Sequence, residues 1–391
     1  MPLYASRENY DVEAADGSPV LTVGPEARLP KADLILLPLL CLLTIVLLFA
    51  GTELATRFFW PASEQGYCIA FNPLDGPHGK PNCTMTVKIA EAPASVVHHF
   101  NSCGYRSAAP CGPKPSGVTR LAVLGSSIAE GYIIPYSDML ATRLTDALQN
   151  AWHRPVEFQN LGAEACLPIY SYRHLTEALR LQPDLVVLLL NPWDVEQEVD
   201  PHLLALRDDP HPINRAPLPV PQLNPVQQVQ FWAHSSRSML VAQHFMLQNR
   251  DTFLKLYLVA GGDHTAFVRY PFPPFWRHRF ADLELLLGEM SDRLHRAGIP
   301  FLVIGIPERA QVLMLQKSHL PRGVDPSAFT RELGRVAARH GILYLDGLDS
   351  LRRVPDPESL FYVVDGHPTP AAHRILGQAA AELLARAVHK P

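Results

Sequence analysis

The sequence predicts an α/β protein, a doubly wound parallel sheet set behind one N-terminal transmembrane helix. Three observations predict it. Short apolar runs alternate with stretches of helical periodicity from Arg120 onward, as in a succession of strand, crossover helix and parallel strand. One run, Leu185 to Leu190, is apolar at every position, as expected of a strand buried on both faces. Leu34 to Thr52 carries no charged side chain and is dominated by Leu, Ile, Val and Phe, about the length a helix needs to cross the hydrocarbon core.

A chain of 391 residues with 47% hydrophobic side chains has ample material for a buried core. A net charge of −4 with no block of Lys or Arg gives no electrostatic case for binding nucleic acid. Arg28 and Lys31 precede the apolar span and Arg57 follows it, a slight bias toward a cytoplasmic N-terminus. The tail before the span is long for a cleaved signal, and Leu48-Phe49-Ala50 is a poor cleavage site, so an uncleaved anchor is expected. Pro38 is expected in the first helical turns, where its missing N–H costs nothing. Cys68, Cys83, Cys103 and Cys111 cluster after the span, which suggests disulfides in an oxidising compartment. Three pairings are open; Cys68–Cys83 with Cys103–Cys111 is the expectation. Zinc is the rival reading, although the spacings match no familiar zinc pattern.

Residues 1 to 33 read as a polar cytoplasmic tail, 34 to 52 as the anchor, and 53 to 117 as a loop-rich neck with much Pro, Gly and Cys. The regular pattern follows, over 118 to 391. Arg120 to Leu124 is a strand that breaks at Gly125-Ser126-Ser127, and Ser137 to Trp152 has helical spacing through Leu140, Leu144 and Leu148. Val156 to Asn160 is the second strand, Tyr172 to Leu181 a helix, and Leu185 to Leu190 the third strand. Later come a helix over Ala281 to Ala297, a strand over Pro300 to Ile306, a helix over Pro326 to His340 and a strand over Ile342 to Leu345. Thr369-Pro370 is the expected start of the last helix, a cap residue followed by Pro at the first helical position. Between about 200 and 280 lies an insertion with a Pro-rich loop, a helix expected over Val226 to Tyr257, and the aromatic stretch Tyr270 to Trp276. It is read either as a lid or a second membrane or ligand contact near the active-site edge, or as plain packing against the core.

Doubly wound sheets carry their chemistry at the carboxyl ends of the strands. Ser127 sits at such an end, in a sharp turn that holds a hydroxyl at the sheet edge. A serine hydroxyl is a weak nucleophile until a base takes its proton. His367, in Asp365-Gly366-His367-Pro368 just before the last helix, is the candidate base, with Asp365 to orient and charge-stabilise its imidazole. Cys166 is expected to be a buried free thiol. Glu130 and Glu164 either line the pocket or are solvated loop charges, and His98, His99 and His278 read as surface residues. The sequence shows no phosphate loop, metal pattern or cofactor fingerprint.

These blocks resemble the SGNH (GDSL-type) hydrolase family, and over Asn101 to Leu384 they stand in family order. Leu124-Gly125-Ser126-Ser127 with Gly131 is similar to the nucleophile block, with Ser126 in place of the usual Asp. Asn160-Leu161-Gly162 is similar to the second block, in which a glycine N–H contributes to the oxyanion hole. Asp365-Gly366-His367-Pro368 resembles the histidine block, with the Asp-x-His spacing of membrane-tethered bacterial members and glycan O-acetyltransferases. Asn101-Ser102-Cys103-Gly104-Tyr105-Arg106 and Ile306-Pro307-Glu308 resemble segments of those tethered members. The third block, normally Gly-x-Asn-Asp, is here Asn191-Pro192-Trp193-Asp194. Either Asn191 reaches in from two residues earlier, or the asparagine donor is missing.

The resemblance implies a three-layer, flavodoxin-like sandwich with Ser127, His367 and Asp365 catalytic and Ser127, Gly162 and Asn191 forming the oxyanion hole, without metal or cofactor. The implied activity is removal of O-acyl groups, O-acetyl above all, from a cell-surface or exported glycan, or from a small ester. The implied location is a single-pass inner or plasma membrane protein with an extracytoplasmic domain, periplasmic in a Gram-negative cell. Two alternatives stand beside it: a glycan O-acetyltransferase using the same residues, with Trp193 and Trp276 as sugar-stacking candidates, and a silent glycan-binding scaffold.

Overall fold

The computed structural model describes residues 32–72, 75–196 and 236–388. The chain divides into two units, Met1–Ala55 and Thr56–Pro391. Helix α1, Asp33–Phe59, runs beyond the expected span and keeps its apolar side chains exposed. Its stretch Leu34–Phe59 is long and apolar enough to cross a membrane, with a mean hydropathy of 2.9. Because the helix starts at Asp33, Pro38 lies past the first turn, and the Leu34 carbonyl loses an i+4 donor. The tail expected over 1 to 33 falls almost wholly outside the described residues.

In the second unit, the neck is not simply loops. Strands β1 (Ser63–Gln65), β4 (Thr84–Lys88) and β5 (Val96–His99) form an antiparallel sheet, and β2 (Ile69–Asn72) pairs with β3 (Gly76–Gly79). Buried Cys68, Ile69, Met85, Val87 and Phe100 share a core with Ile133, Ile134 and Met139, which follow the turn at Gly125-Ser126-Ser127. Apolar residues at alternate positions of short strands suffice for this, although no single run is long enough to announce a sheet. Disulfides join Cys68 to Cys83 and Cys103 to Cys111, each with Cα atoms 5.8 Å apart.

The main sheet is parallel. It contains β6 (Thr119–Leu124), β7 (Val156–Asn160), β8 (Leu185–Leu190), β9 (Phe301–Gly305) and β10 (Leu343–Asp346), in the order β10-β9-β8-β6-β7. Alternate residues serve opposite faces: Val186, Leu188 and Leu190 enter one core, and Leu185, Val187 and Leu189 the other. Helices α3 (Leu140–Trp152) and α11 (Pro370–Ala387) cover the second face with Leu144, Leu148, Leu376 and Leu384. Helices α4 (Pro168–Arg180), α8 (Pro274–Arg296) and α10 (Ala328–Arg339) cover the first. The chain leaves β6 for one edge and then for the other, so the switch point where such sheets bind ligands lies at the carboxyl end of β6.

The expected helix over Val226 to Tyr257 is two helices, α6 (Arg237–Gln248) and α7 (Arg250–Ala260), and residues 226 to 235 lie outside the described residues. Asn249 causes the break: its side chain accepts the N–H of Thr252 and caps α7. Helix α8 starts seven residues ahead of the expected Ala281, because Pro273-Pro274 sets an N-terminus and Trp276 and Phe280 are already on its buried face. Trp276 is fully buried and gives its indole N–H to the Asp263 carbonyl at 2.7 Å. It is core, and the sugar-stacking role considered for it is withdrawn.

Candidate active site

At the end of β6 the chain turns through Gly125, with φ of 136°, into the short helix α2, Ser127–Glu130. A Cβ at Gly125 would meet the Leu189 carbonyl oxygen at 2.8 Å and Ala129 Cβ at 2.9 Å, so both the backbone angle and the space require glycine. Ser127 is the first residue of α2, where a backbone N–H has no intrahelical acceptor.

Ser127 Oγ lies 2.8 Å from His367 Nε2, and His367 Nδ1 lies 2.7 Å from Asp365 Oδ1. Two residues 240 apart in sequence are thus joined by a hydrogen bond. The loop carrying the pair is held by its own backbone, with the Tyr362 N–H on the His367 carbonyl and the Gly366 N–H on the Tyr362 carbonyl. Burial opposes a positive His367, but the hydrogen bond and charge of Asp365, with Asp194 and Glu164 farther off, hold the imidazole above its ordinary value. Burial likewise opposes an ionised Asp365, and the hydrogen bonds and charge of His367 hold that carboxyl below the usual range. Both side chains remain about a quarter exposed, at 26% and 24%.

These residues open into a cavity of about 450 Å³ whose walls include Tyr132, Glu164, Ala165, Asn191, Trp193 and Tyr257. Gly162 is not among its lining residues. Its N–H is bonded to Asn160 Oδ1 at 3.0 Å, inside the protein, so it has no hydrogen left for an oxyanion. Gly162 supplies space instead, because a Cβ there would meet Ala129 Cβ at 2.7 Å. The residue of this loop at the cavity wall is Ala165, held in the left-handed region at φ of 58°. Such a conformation is uncommon for a residue with a Cβ and marks functional sites. Among the described residues the Ala165 N–H has no acceptor. A motif match pointed to the glycine; the signal that was missed is the loop's reach, which only its folded path displays.

Asn191 is at the wall, its Oδ1 accepting the Asp194 N–H at 2.8 Å while its own N–H donates to Asp194 Oδ2 at 3.2 Å. The first bond fixes the amide orientation and leaves the NH₂ group as the free donor face of the side chain. Trp193 is half exposed, at 49%. Glu164 lies at the wall, whereas Glu130 is fully buried, which corrects both of the readings offered for it: Glu130 accepts the Glu164 N–H at 2.7 Å. His98 is also fully buried, not a surface residue, with Nε2 2.7 Å from the Tyr132 carbonyl and Nδ1 3.3 Å from Glu130. His99 and His278 are exposed. Cys166 is buried, and burial pushes its thiol up to about 12, unfit as a nucleophile at neutral pH.

Arg106 explains the segment Asn101 to Arg106. Its buried guanidinium donates to the carbonyls of Glu130, Gly131 and Ile134, pinning the chain just after the turn that carries Ser127. Among the described residues no group of His, Cys, Asp and Glu is arranged to hold a metal ion. A second cavity, of about 550 Å³, lies between the neck and α4 against His78, His174 and Glu177, away from the serine and histidine.

No family model matches the chain, and no curated protein matches it. Solved structures do. An acetylxylan esterase from Geobacillus stearothermophilus is 11% identical with a TM-score of 0.39, over 68% of this chain and 94% of that one. A member of the lipolytic G-D-S-L family from Veillonella parvula is 12% identical with a TM-score of 0.38, over 68% and 99%. A lipase/acylhydrolase from Enterococcus faecalis is 12% identical with a TM-score of 0.38, over 70% and 98%.

Proposed function

We propose that the chain is an SGNH-type serine esterase, held at a membrane by α1, that removes O-acyl groups, above all O-acetyl, from a cell-surface or exported glycan. One observation carries the reading: the unbroken series Ser127 Oγ, His367 Nε2, His367 Nδ1, Asp365 Oδ1, at 2.8 and 2.7 Å, opening into a cavity. His367 takes the serine proton as Oγ attacks the ester carbonyl, and Asp365 stabilises the imidazolium. The oxyanion forms beside the N–H groups of Ser127 and Ala165 and the Asn191 amide. His367 then passes the proton to the departing sugar oxygen, and a water it deprotonates releases the acyl group from Ser127. The partly exposed His367 and Asp365 favour water as the acceptor. The disulfides support an extracytoplasmic placement of the neck and the domain behind it, 118 to 391.

The test uses the full chain in detergent with a small activated acetyl ester. Wild type releases acetate; Ser127→Ala and His367→Ala each lose nearly all of it, and Asp365→Asn loses less than either. Acetylated sugar formed at the expense of acetate when an oligosaccharide is added would replace the esterase reading with the transferase. No Ser127-dependent product from folded protein, across acyl esters and glycans, would leave a scaffold.

A further inference from the structure

Resting on that catalytic reading, we propose that Glu91, a neck residue, is a positioning residue of the active site, acting through the loop that carries Asp365 and His367. Glu91 lies between β4 and β5, outside the main sheet, with its side chain only 4% exposed. Its carboxylate accepts the Val364 N–H at 3.0 Å and the Asp365 N–H at 2.9 Å, both on Oε2. Oε1 lies 3.2 Å from the Val364 N–H and 2.6 Å from His244 Nδ1, on α6 of the insertion. Three segments far apart in sequence therefore meet on one carboxylate, and two of its partners are the backbone N–H groups of the catalytic acid and its neighbour.

The same loop is held from its other side. Arg309, 4% exposed at the start of α9 (Arg309–Met314), donates to the Val363 carbonyl at 3.1 Å and to the Leu247 carbonyl at 2.8 Å. Val363, Val364 and Asp365 are thus fixed by an acceptor and a donor that come from different elements. A loop with exposed faces and few apolar anchors opens readily unless its backbone groups are satisfied. Displacing Asp365 lengthens its hydrogen bond to Nδ1, which orients the His367 imidazole toward Ser127, and misplacement by about 1 Å costs on the order of 100-fold in rate. The neck is on this account part of the catalytic unit and not only a spacer between anchor and enzyme.

The experiment reads covalent labelling of the full chain in detergent by a fluorophosphonate ester. Ser127 Oγ forms a bond to phosphorus, the P–F bond breaks with loss of fluoride, and His367 takes the serine proton and returns it to solvent. Labelling of wild type but not of Ser127→Ala establishes the catalytic reading; its absence in wild type sinks that reading whatever Glu91 does. With labelling established, Glu91→Ala lowers the maximal labelling rate by about 10- to 100-fold, with the half-saturating probe concentration little changed. Glu91→Gln keeps an acceptor for the Val364 and Asp365 N–H groups and stays within about threefold of wild type, as does His244→Ala. Where Glu91→Ala does not fold, Glu91→Asp serves: it keeps the charge, withdraws the carboxylate by one methylene and slows labelling. Folded Glu91→Ala or Glu91→Asp that labels at the wild-type rate overturns the proposal, as does a loss confined to probe affinity.

Discussion

Replacing Asn191 by Ala separates its two jobs. The Oδ1 atom caps the Asp194 N–H at 2.8 Å and so starts α5, Pro192–Glu196; losing that cap costs about 1 kcal/mol of stability. In the proposed mechanism the NH₂ group is an oxyanion donor, and removing one such donor costs roughly 3 kcal/mol of transition-state stabilisation, or about 100- to 1000-fold in kcat. Because the donor acts when charge develops on the carbonyl oxygen, KM changes little. The assay is acetate release from an activated ester, with thermal unfolding followed in parallel so that the small stability cost is read separately. Trp193→Asn is the companion variant. If Asn191 already supplies the donor, an asparagine two residues on leaves kcat unchanged. Asn191→Ala within about threefold of wild-type kcat, together with faster Trp193→Asn, would refute the reasoning and show that the donor was missing.

His367 must be neutral to take the serine proton, and its pKa lies above the ordinary 6.5. kcat/KM therefore falls as pH drops through a midpoint above 6.5. Asp365→Asn removes the charge that raises that pKa, so a pH–rate series shows the acid limb moving to lower pH as the rate drops; an upward shift refutes the assignment. Gly162→Ala forces a methyl against Ala129 and the Glu130 N–H at 2.7 and 2.9 Å. It destabilises by about 1 to 3 kcal/mol in thermal unfolding, and a neutral result refutes the packing role. Denatured but unreduced protein from its native compartment reacts with alkylating agents only at Cys41 and Cys166; modified Cys103 or Cys111 refutes the disulfide.

Periodicity places the five strands of the main sheet to within about a residue or two, and most clearly the central β6, β8 and β9, which are buried at every position and read as near-continuous apolar runs. Glycine and proline mark the Gly125 turn and, at Pro370, the start of the last helix, whereas the start at Pro274 is hidden by the aromatic stretch around it. The neck strands escape a sequence reading because at three to five residues they are shorter than any reliable pattern. Asn249 escapes it as well, since an asparagine is a helix break only where its side chain finds the next turn's N–H.

What the sequence by itself determined is which residues have the chemistry: an apolar helix long enough for a membrane, a serine at a strand end, and an Asp-x-His before the last helix. Composition and spacing carry those properties whatever the fold. Which N–H groups are available was decided only by tertiary structure, because a donor is free or spent according to what lies beside it. Asn160 folds back to occupy Gly162 and leaves Ala165 at the wall. Burial was decided there too, making Glu130, expected at the pocket or in a solvated loop, and His98, expected at the surface, into interior partners and Trp276 into core. Glu91 belongs with these: nothing in its neighbours along the chain sets it apart, and its partners lie 153, 273 and 274 residues away. Hydrogen bonding and desolvation are relations between atoms that only the folded chain brings together.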